Sequence, residues 1–161
     1  HGSFASNHKG QDPGDIIELN GLEQILWPDH CIQGSEGAEF VDDLNTEPFE
    51  QIFKKGIDVG IDSYSGFFDN GHNRSTGLNS YLEDKNIDEV YITGVATDVC
   101  IKFTVLDACK LDYKTHLIVD ACRGVVQSPG DIEEAVAKMT QAGADFVSSQ
   151  QLLSRGHPET P

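Results

Sequence analysis

Four side chains in this sequence combine nucleophilic, cationic and imidazole chemistry: Cys100, Lys55, His1 and His30. A cysteine thiolate attacks carbonyl carbon, and an ammonium group stabilises both a thiolate and a developing oxyanion. Imidazoles bind zinc, iron or manganese. On residue type alone, however, a single cysteine is usually a packing residue and a single lysine or histidine is usually solvated.

The position of Cys100 in the sequence distinguishes it from an ordinary packing cysteine. It closes the run Gly94-Val95-Ala96-Thr97-Asp98-Val99-Cys100, where a predicted buried strand (89–95) gives way to a predicted helix (98–111). In open α/β sheets, ligands bind at the carboxyl ends of strands. We expect Thr97 or Asp98 to cap the helix, so that its unpaired N–H groups favour the thiolate and can hold an oxyanion.

The elements that would position these residues fall into two halves. Residues 1–35 and 57–73 are rich in glycine and polar residues and predict loops that form a site, with a short strand at 51–56. The second half is more regular. Its patterns predict helices at 78–86, 98–111 and 128–143, strands at 89–95, 115–120 and 146–149, and then a short tail. This order predicts an α/β fold of three α/β/α layers with a mostly parallel sheet.

Composition narrows the class of protein. The 161 residues suffice for one domain, 1–161, and their formal net charge of −16 disfavours binding to nucleic acid or membrane. No apolar run is long enough to span a bilayer and no signal peptide is evident. Four cysteines without a C-x-x-C pair predict reduced thiols in a cytoplasmic protein.

The run that ends at Cys100 resembles the nucleophile motif of the nicotinamidase and isochorismatase-like cysteine hydrolases. This resemblance implies a Rossmann-like fold and a cis peptide bond between Val95 and Ala96. It also implies that the backbone N–H groups of Ala96 and Cys100 form the oxyanion hole.

Two further blocks extend the resemblance. Phe53-Lys54-Lys55-Gly56 is similar to the block that holds the family's catalytic lysine, which implies Lys55. The residues alone do not distinguish Lys55 from Lys54. Asp62-Ser63-Tyr64-Ser65-Gly66-Phe67 resembles the next block, in which Tyr64 lines the pocket for the substrate ring.

A third block, Trp27-Pro28-Asp29-His30-Cys31, is the most discriminating motif in the chain. It resembles the nicotinamidase segment in which the histidine binds a metal and the tryptophan stacks on a pyridine ring. His1-Gly2-Ser3-Phe4 resembles the segment with another metal-binding histidine. The resemblance therefore implies a divalent metal, with zinc the first choice and iron or manganese the alternatives, held partly by His1 and His30. The remaining histidines are not expected to be ligands: His8, His72, His116 and His157.

The implied reaction converts nicotinamide to nicotinate and ammonia through a thioester on Cys100, in NAD salvage, with the ring between Trp27 and Tyr64. The family also has an N-terminal strand with a catalytic aspartate and an Asp-x-His metal element. No residue here matches that aspartate, so we expect the domain to lack this strand and part of the metal-ligand segment. Two alternatives stay open: another isochorismatase-like amidase or hydrolase, and a non-catalytic binding protein on the same fold. A homo-oligomer is also left open.

Overall fold

The computed structural model describes residues 1–155, so His157 lies outside the described part. The N-terminal half contains one β-hairpin, in which β1 (Ile16–Leu19) pairs antiparallel with β2 (Leu22–Ile25). The strands are joined by Asn20 and Gly21, whose φ angles of 52° and 80° are those of a type I′ turn. Our prediction of an irregular segment over residues 1–35 missed this hairpin.

The predicted strand at 51–56 is wrong, because these residues take no regular structure. Ile52 is half exposed and both lysines are exposed, so the segment buries no apolar face against a sheet. Residues 57–73 form the predicted loop. Helix α1 (Leu78–Asp84) follows, slightly shorter than predicted.

The C-terminal half forms a three-stranded parallel sheet in the order β3-β4-β5, which confirms the predicted α/β class. Strand β3 (Glu89–Val95) leads into a π-helical turn (Thr97–Ile101) and then α2 (Lys102–Lys110). The remaining elements are β4 (Lys114–Arg123), α3 (Asp131–Gln141), β5 (Asp145–Val147) and α4 (Ser149–Arg155).

Helix α4 stands where the sequence predicted only a tail. The backbone N–H and the hydroxyl of its first residue, Ser149, both donate to the carboxylate of Asp120 in β4. A contact with a residue so far back along the chain leaves no local sequence signal.

Helices α1, α2 and α3 pack against one face of the sheet. Val105 in α2, Leu117 in β4 and Met139 in α3 are at most 1% exposed and share one apolar cluster. The opposite face carries Tyr91 and His116, whose rings stack at 4.6 Å. Within residues 1–155, no helix has the length and apolarity that crossing a membrane requires.

Candidate active site

Cys100 lies in the π-helical turn directly after β3, at the carboxyl edge of the parallel sheet. The Val95–Ala96 bond is cis, as the resemblance implied. The thiol is partly buried, and the turn below it is fixed by bonds from the N–H groups of Val99 and Ile101 to the carbonyl of Ala96. The sulfur is therefore held at the amino end of a helix.

The predicted cap by Thr97 or Asp98 is wrong, since neither side chain caps the turn. The Asp98 carboxylate is buried and accepts hydrogen bonds from the N–H groups of Val125 and Val126, at 2.9 and 2.7 Å. It ties the loop after β4 to the turn that holds Cys100, and this longer-range pairing outcompetes local capping.

The structure brings Lys55 to Cys100. Its Nζ atom lies 3.4 Å from Sγ of Cys100 and donates to the carbonyl of Ser63 at 2.8 Å. Within residues 1–155, the side chain of Lys54 makes no hydrogen bond or ion pair. Geometry thus separates two neighbours that the residues alone could not.

Trp27 and Tyr64 touch each other directly. The indole N–H of Trp27 donates to the Tyr64 hydroxyl at 3.0 Å, with the rings nearly perpendicular at 6.0 Å. Burial raises the pKa of Tyr64 to about 12, so the hydroxyl stays neutral. The two rings contact each other edge to face, so a substrate ring between Trp27 and Tyr64, which the resemblance implies, requires them to move apart.

Phe103 extends this aromatic pair, since its ring lies 5.4 Å from that of Tyr64. Sequence reasoning treated it only as part of a helix face, although its position three residues after Cys100 was the available signal. A cavity of about 200 Å³ is bordered by Trp27, Tyr64 and Phe103, and by charged side chains that include Lys102. Cys100 does not border it, so this cavity lies beside the rings of Trp27, Tyr64 and Phe103 and not beside the sulfur.

His1 and His30 both lie against the ring of Phe4, with ring distances of 5.7 and 5.4 Å. Nε2 of His1 is buried and has no hydrogen-bond partner. Nδ1 of His30 is 2.7 Å from the carbonyl of Pro28, which leaves its Nε2 available. A buried imidazole nitrogen without a partner fits a metal ligand. Residues 1–155 contain no cluster of three or more potential ligands, so the two histidines fit part of a metal site.

Comparison with known proteins gives this arrangement a context. The model of the isochorismatase domain matches residues 18–151, a span that holds Cys100, Lys55, Trp27, Tyr64 and His30. The chain belongs to the isochorismatase family.

Individual members of the family agree with that assignment. A nicotinamidase of Escherichia coli (strain K12) is 49% identical over 144 residues, which cover 89% of this chain and 67% of that protein. The structure of a nicotinamidase/pyrazinamidase of Acinetobacter baumanii superposes with a TM-score of 0.89 at 46% identity, over 94% of this chain and 73% of that one. A pyrazinamidase of Pyrococcus horikoshii in complex with zinc is 35% identical with a TM-score of 0.63, over 76% and 63% of the two chains.

In this isochorismatase-family site, a chain of hydrogen bonds joins His1 to Lys55, which contacts Cys100. Ser3 Oγ lies 2.9 Å from Nδ1 of His1 and donates to Oδ2 of Asp62 at 2.8 Å. Oδ1 of Asp62 accepts the N–H of Ser63 at 2.7 Å, and the carbonyl of Ser63 accepts from Lys55. Sequence reasoning assigned no role to Ser3 or Asp62, although both stand inside motifs that carried the resemblance.

Proposed function

We propose that this chain is a nicotinamidase, a metal-dependent cysteine amidohydrolase that converts nicotinamide to nicotinate and ammonia. The observation that carries the proposal is the 3.4 Å contact between the Lys55 ammonium and Sγ of Cys100 at the amino end of a helix. An ammonium group at this distance stabilises negative charge that develops on the sulfur or on an oxyanion beside it. The nicotinamidases that resemble this chain over most of its length supply the substrate class.

The chemistry starts with the Cys100 thiolate. It attacks the amide carbon, a C–S bond forms, and the carbonyl electron pair moves to oxygen. The backbone N–H groups of Ala96 and Cys100 hold that oxyanion, and the Lys55 ammonium offsets its charge. When the oxyanion collapses, the leaving nitrogen takes up one proton, the C–N bond breaks, ammonia leaves and a thioester remains. Water then cleaves the thioester to the free thiol and nicotinate, and the proton lost by the new carboxyl group balances the one taken up.

Ammonia needs a proton to leave. In the family, an aspartate supplies it, and no residue of this chain matches that aspartate. We therefore assign the protonation of the leaving nitrogen to none of the described side chains.

The aromatic group supports recognition of a planar amide. Trp27 and Tyr64 present aromatic rings, and the neutral Tyr64 hydroxyl accepts the indole N–H, which keeps both rings in place. Stacking on such rings favours a pyridine ring over an acyclic amide. This argues against an acyclic substrate such as the ureidoacrylate in the name of an amidohydrolase of Caulobacter vibrioides, which is 30% identical over 122 residues.

His1 and His30 are the residues that would hold a divalent metal, with zinc as the first choice and iron or manganese as alternatives. The zinc in the related pyrazinamidase supports this choice. A bound zinc supplies Lewis-acid chemistry, which attracts the pyridine nitrogen and makes nearby water more acidic. With this substrate, the reaction serves the salvage of NAD breakdown products, and we place it in the cytoplasm.

The test measures ammonia and nicotinate formed from nicotinamide by wild-type protein and by Cys100→Ala. We expect turnover in the wild type and none in the variant, while nicotinamide still binds. Cys31→Ser is the matched control, because Cys31 is exposed and lies outside the proposed chemistry. Hydrolysis by Cys100→Ala at the wild-type rate contradicts the proposal. Binding of nicotinamide by the wild type without ammonia release favours the non-catalytic alternative.

A further inference from the structure

The hydroxyl of Ser3 connects the carboxylate of Asp62 to the ring of His1. Asp62 is an acceptor only, and its Oδ1 is already engaged by the N–H of Ser63 at 2.7 Å. Its Oδ2 lies 2.8 Å from Ser3 Oγ, so the single hydroxyl hydrogen of Ser3 points to Asp62. If the hydrogen pointed elsewhere, two electron-rich oxygens would face each other in a buried site, since Ser3 is only 1% exposed.

With its hydrogen committed to Asp62, Ser3 Oγ can only accept from His1. The 2.9 Å contact then requires a proton on Nδ1 of His1. In a neutral imidazole the other nitrogen, Nε2, keeps its lone pair. This is the nitrogen that is buried without a partner.

A second contact works against this state. The backbone N–H of Ser3 lies 3.2 Å from the same Nδ1 atom. It would favour an unprotonated Nδ1, and therefore a proton on Nε2. The shorter contact to Oγ, reinforced by the carboxylate, decides between the two because hydrogen bonds to charged groups are stronger. Without the Asp62 carboxylate, the N–H of Ser3 would decide, and the ring proton would lie on Nε2.

We propose that Ser3 and Asp62 are positioning residues that hold His1 as the Nδ1–H tautomer and so present the Nε2 lone pair to a divalent metal. This inference rests on the metal site in the proposed function. Proteins often orient a ligating histidine through a hydrogen bond from its second nitrogen. Here the hydroxyl of Ser3 stands between the Asp62 carboxylate and the His1 ring. Ser3 and Asp62 are 59 positions apart in the sequence.

The sharpest perturbation is Asp62→Asn, which keeps the shape and reverses one hydrogen bond. The N–H of Ser63 still requires an oxygen, so the new amide must turn its NH₂ group toward Ser3. Ser3 Oγ then accepts from this group and donates its own hydrogen to Nδ1 of His1. The ring proton moves to Nε2, and the metal-binding lone pair is lost.

The primary readout is the nitrogen-15 NMR spectrum of the histidine rings in metal-free full-length protein, with His1 assigned from the signals lost in His1→Gln. We expect an unprotonated Nε2 in the wild type and a protonated Nε2 in Asp62→Asn. Competition with a chromophoric chelator measures zinc affinity independently of turnover, and Asp62→Asn should bind roughly 10- to 100-fold more weakly. Asp58→Asn is the matched control, because the Asp58 carboxylate bonds to Gly60 and Arg74 and contacts neither Ser3 nor His1.

A protonated Nε2 in the wild type overturns the inference and requires no variant. Unchanged His1 signals and zinc affinity in Asp62→Asn overturn it as well. If Asp62→Asn does not fold, Ser3→Ala tests the same point, because only the backbone N–H then remains for Nδ1, and Ser3→Thr should restore the wild-type state. Wild-type protein that shows the expected tautomer but no nicotinamide hydrolysis contradicts the proposed function and not this inference.

Discussion

Replacement of Lys55 by methionine tests the electrostatic core of the proposed mechanism. Methionine keeps an unbranched side chain one atom shorter than that of lysine and removes its charge. The Nζ–Sγ distance is 3.4 Å in the structure. Coulomb's law at this distance gives about 1 kcal/mol in water and about 5 kcal/mol at an effective dielectric constant of 20.

The exposure of Lys55 places the expected effect in the lower part of that range, since solvent screens exposed charges. We expect the negative charge of the transition state to lose ~1–3 kcal/mol of stabilisation. This corresponds to roughly a tenfold to hundredfold lower kcat/KM for nicotinamide. The same loss should slow alkylation of Cys100 by iodoacetamide, because the reagent reacts with the thiolate.

Lys54→Met is the control for this experiment. It removes the same charge one residue away, from a side chain that bonds nothing in the described part of the chain. Peptide mapping separates alkylation of Cys100 from that of the exposed Cys31. The reasoning is refuted if Lys55→Met alkylates and turns over like the wild type, or if Lys54→Met loses as much as Lys55→Met.

Two further predictions concern stability. Tyr64→Phe leaves the buried indole N–H of Trp27 without its acceptor. We expect a loss of about 1–3 kcal/mol in urea denaturation, a higher KM for nicotinamide, and the disappearance of a phenol that ionises near pH 12 in absorbance titration. Hydrogen bonds from Lys114 and then His116 lower the pKa of Glu89 from 4.5 to about 2. The unfolded chain therefore binds more protons between these values, so stability should fall as pH drops from 4.5 toward 2. Glu89→Gln should flatten that part of the stability curve, and an unchanged acid transition would contradict the assignment.

The regular half of the fold was the part that sequence could predict. The nearly uncharged, β-branched run at 89–95 became β3, and the helical spacing after it became α2. The expectation that this strand is buried was wrong, because exposed Tyr91, Thr93 and Val95 alternate with half-buried residues. The π-helical turn between them escaped prediction, since no side-chain pattern distinguishes one turn of π-helix from α-helix.

The errors cluster where tertiary contacts decide the structure. The hairpin β1–β2 carried a local signal in Asn20-Gly21 that was overlooked among many glycines. The segment at 51–56 had strand-like residues but no partner strand. The direct Trp27–Tyr64 contact, by contrast, had no signal in spacing at all, because 37 residues separate the two rings.

The distribution of site residues across the two halves has a consequence for how the site should respond to mutation. Cys100 is carried by the parallel sheet, whereas Lys55, Trp27, Tyr64, His1 and His30 come from irregular segments. These segments are held by a few backbone bonds, such as those that join Trp27 to Ser3 and Ala5, and by side-chain bonds such as Ser3–Asp62 and Asn70–Tyr64. Each bond is individually modest in its net contribution to folding stability. Changes in these bonds should therefore displace the proposed catalytic groups, which need close placement, before they unfold the protein.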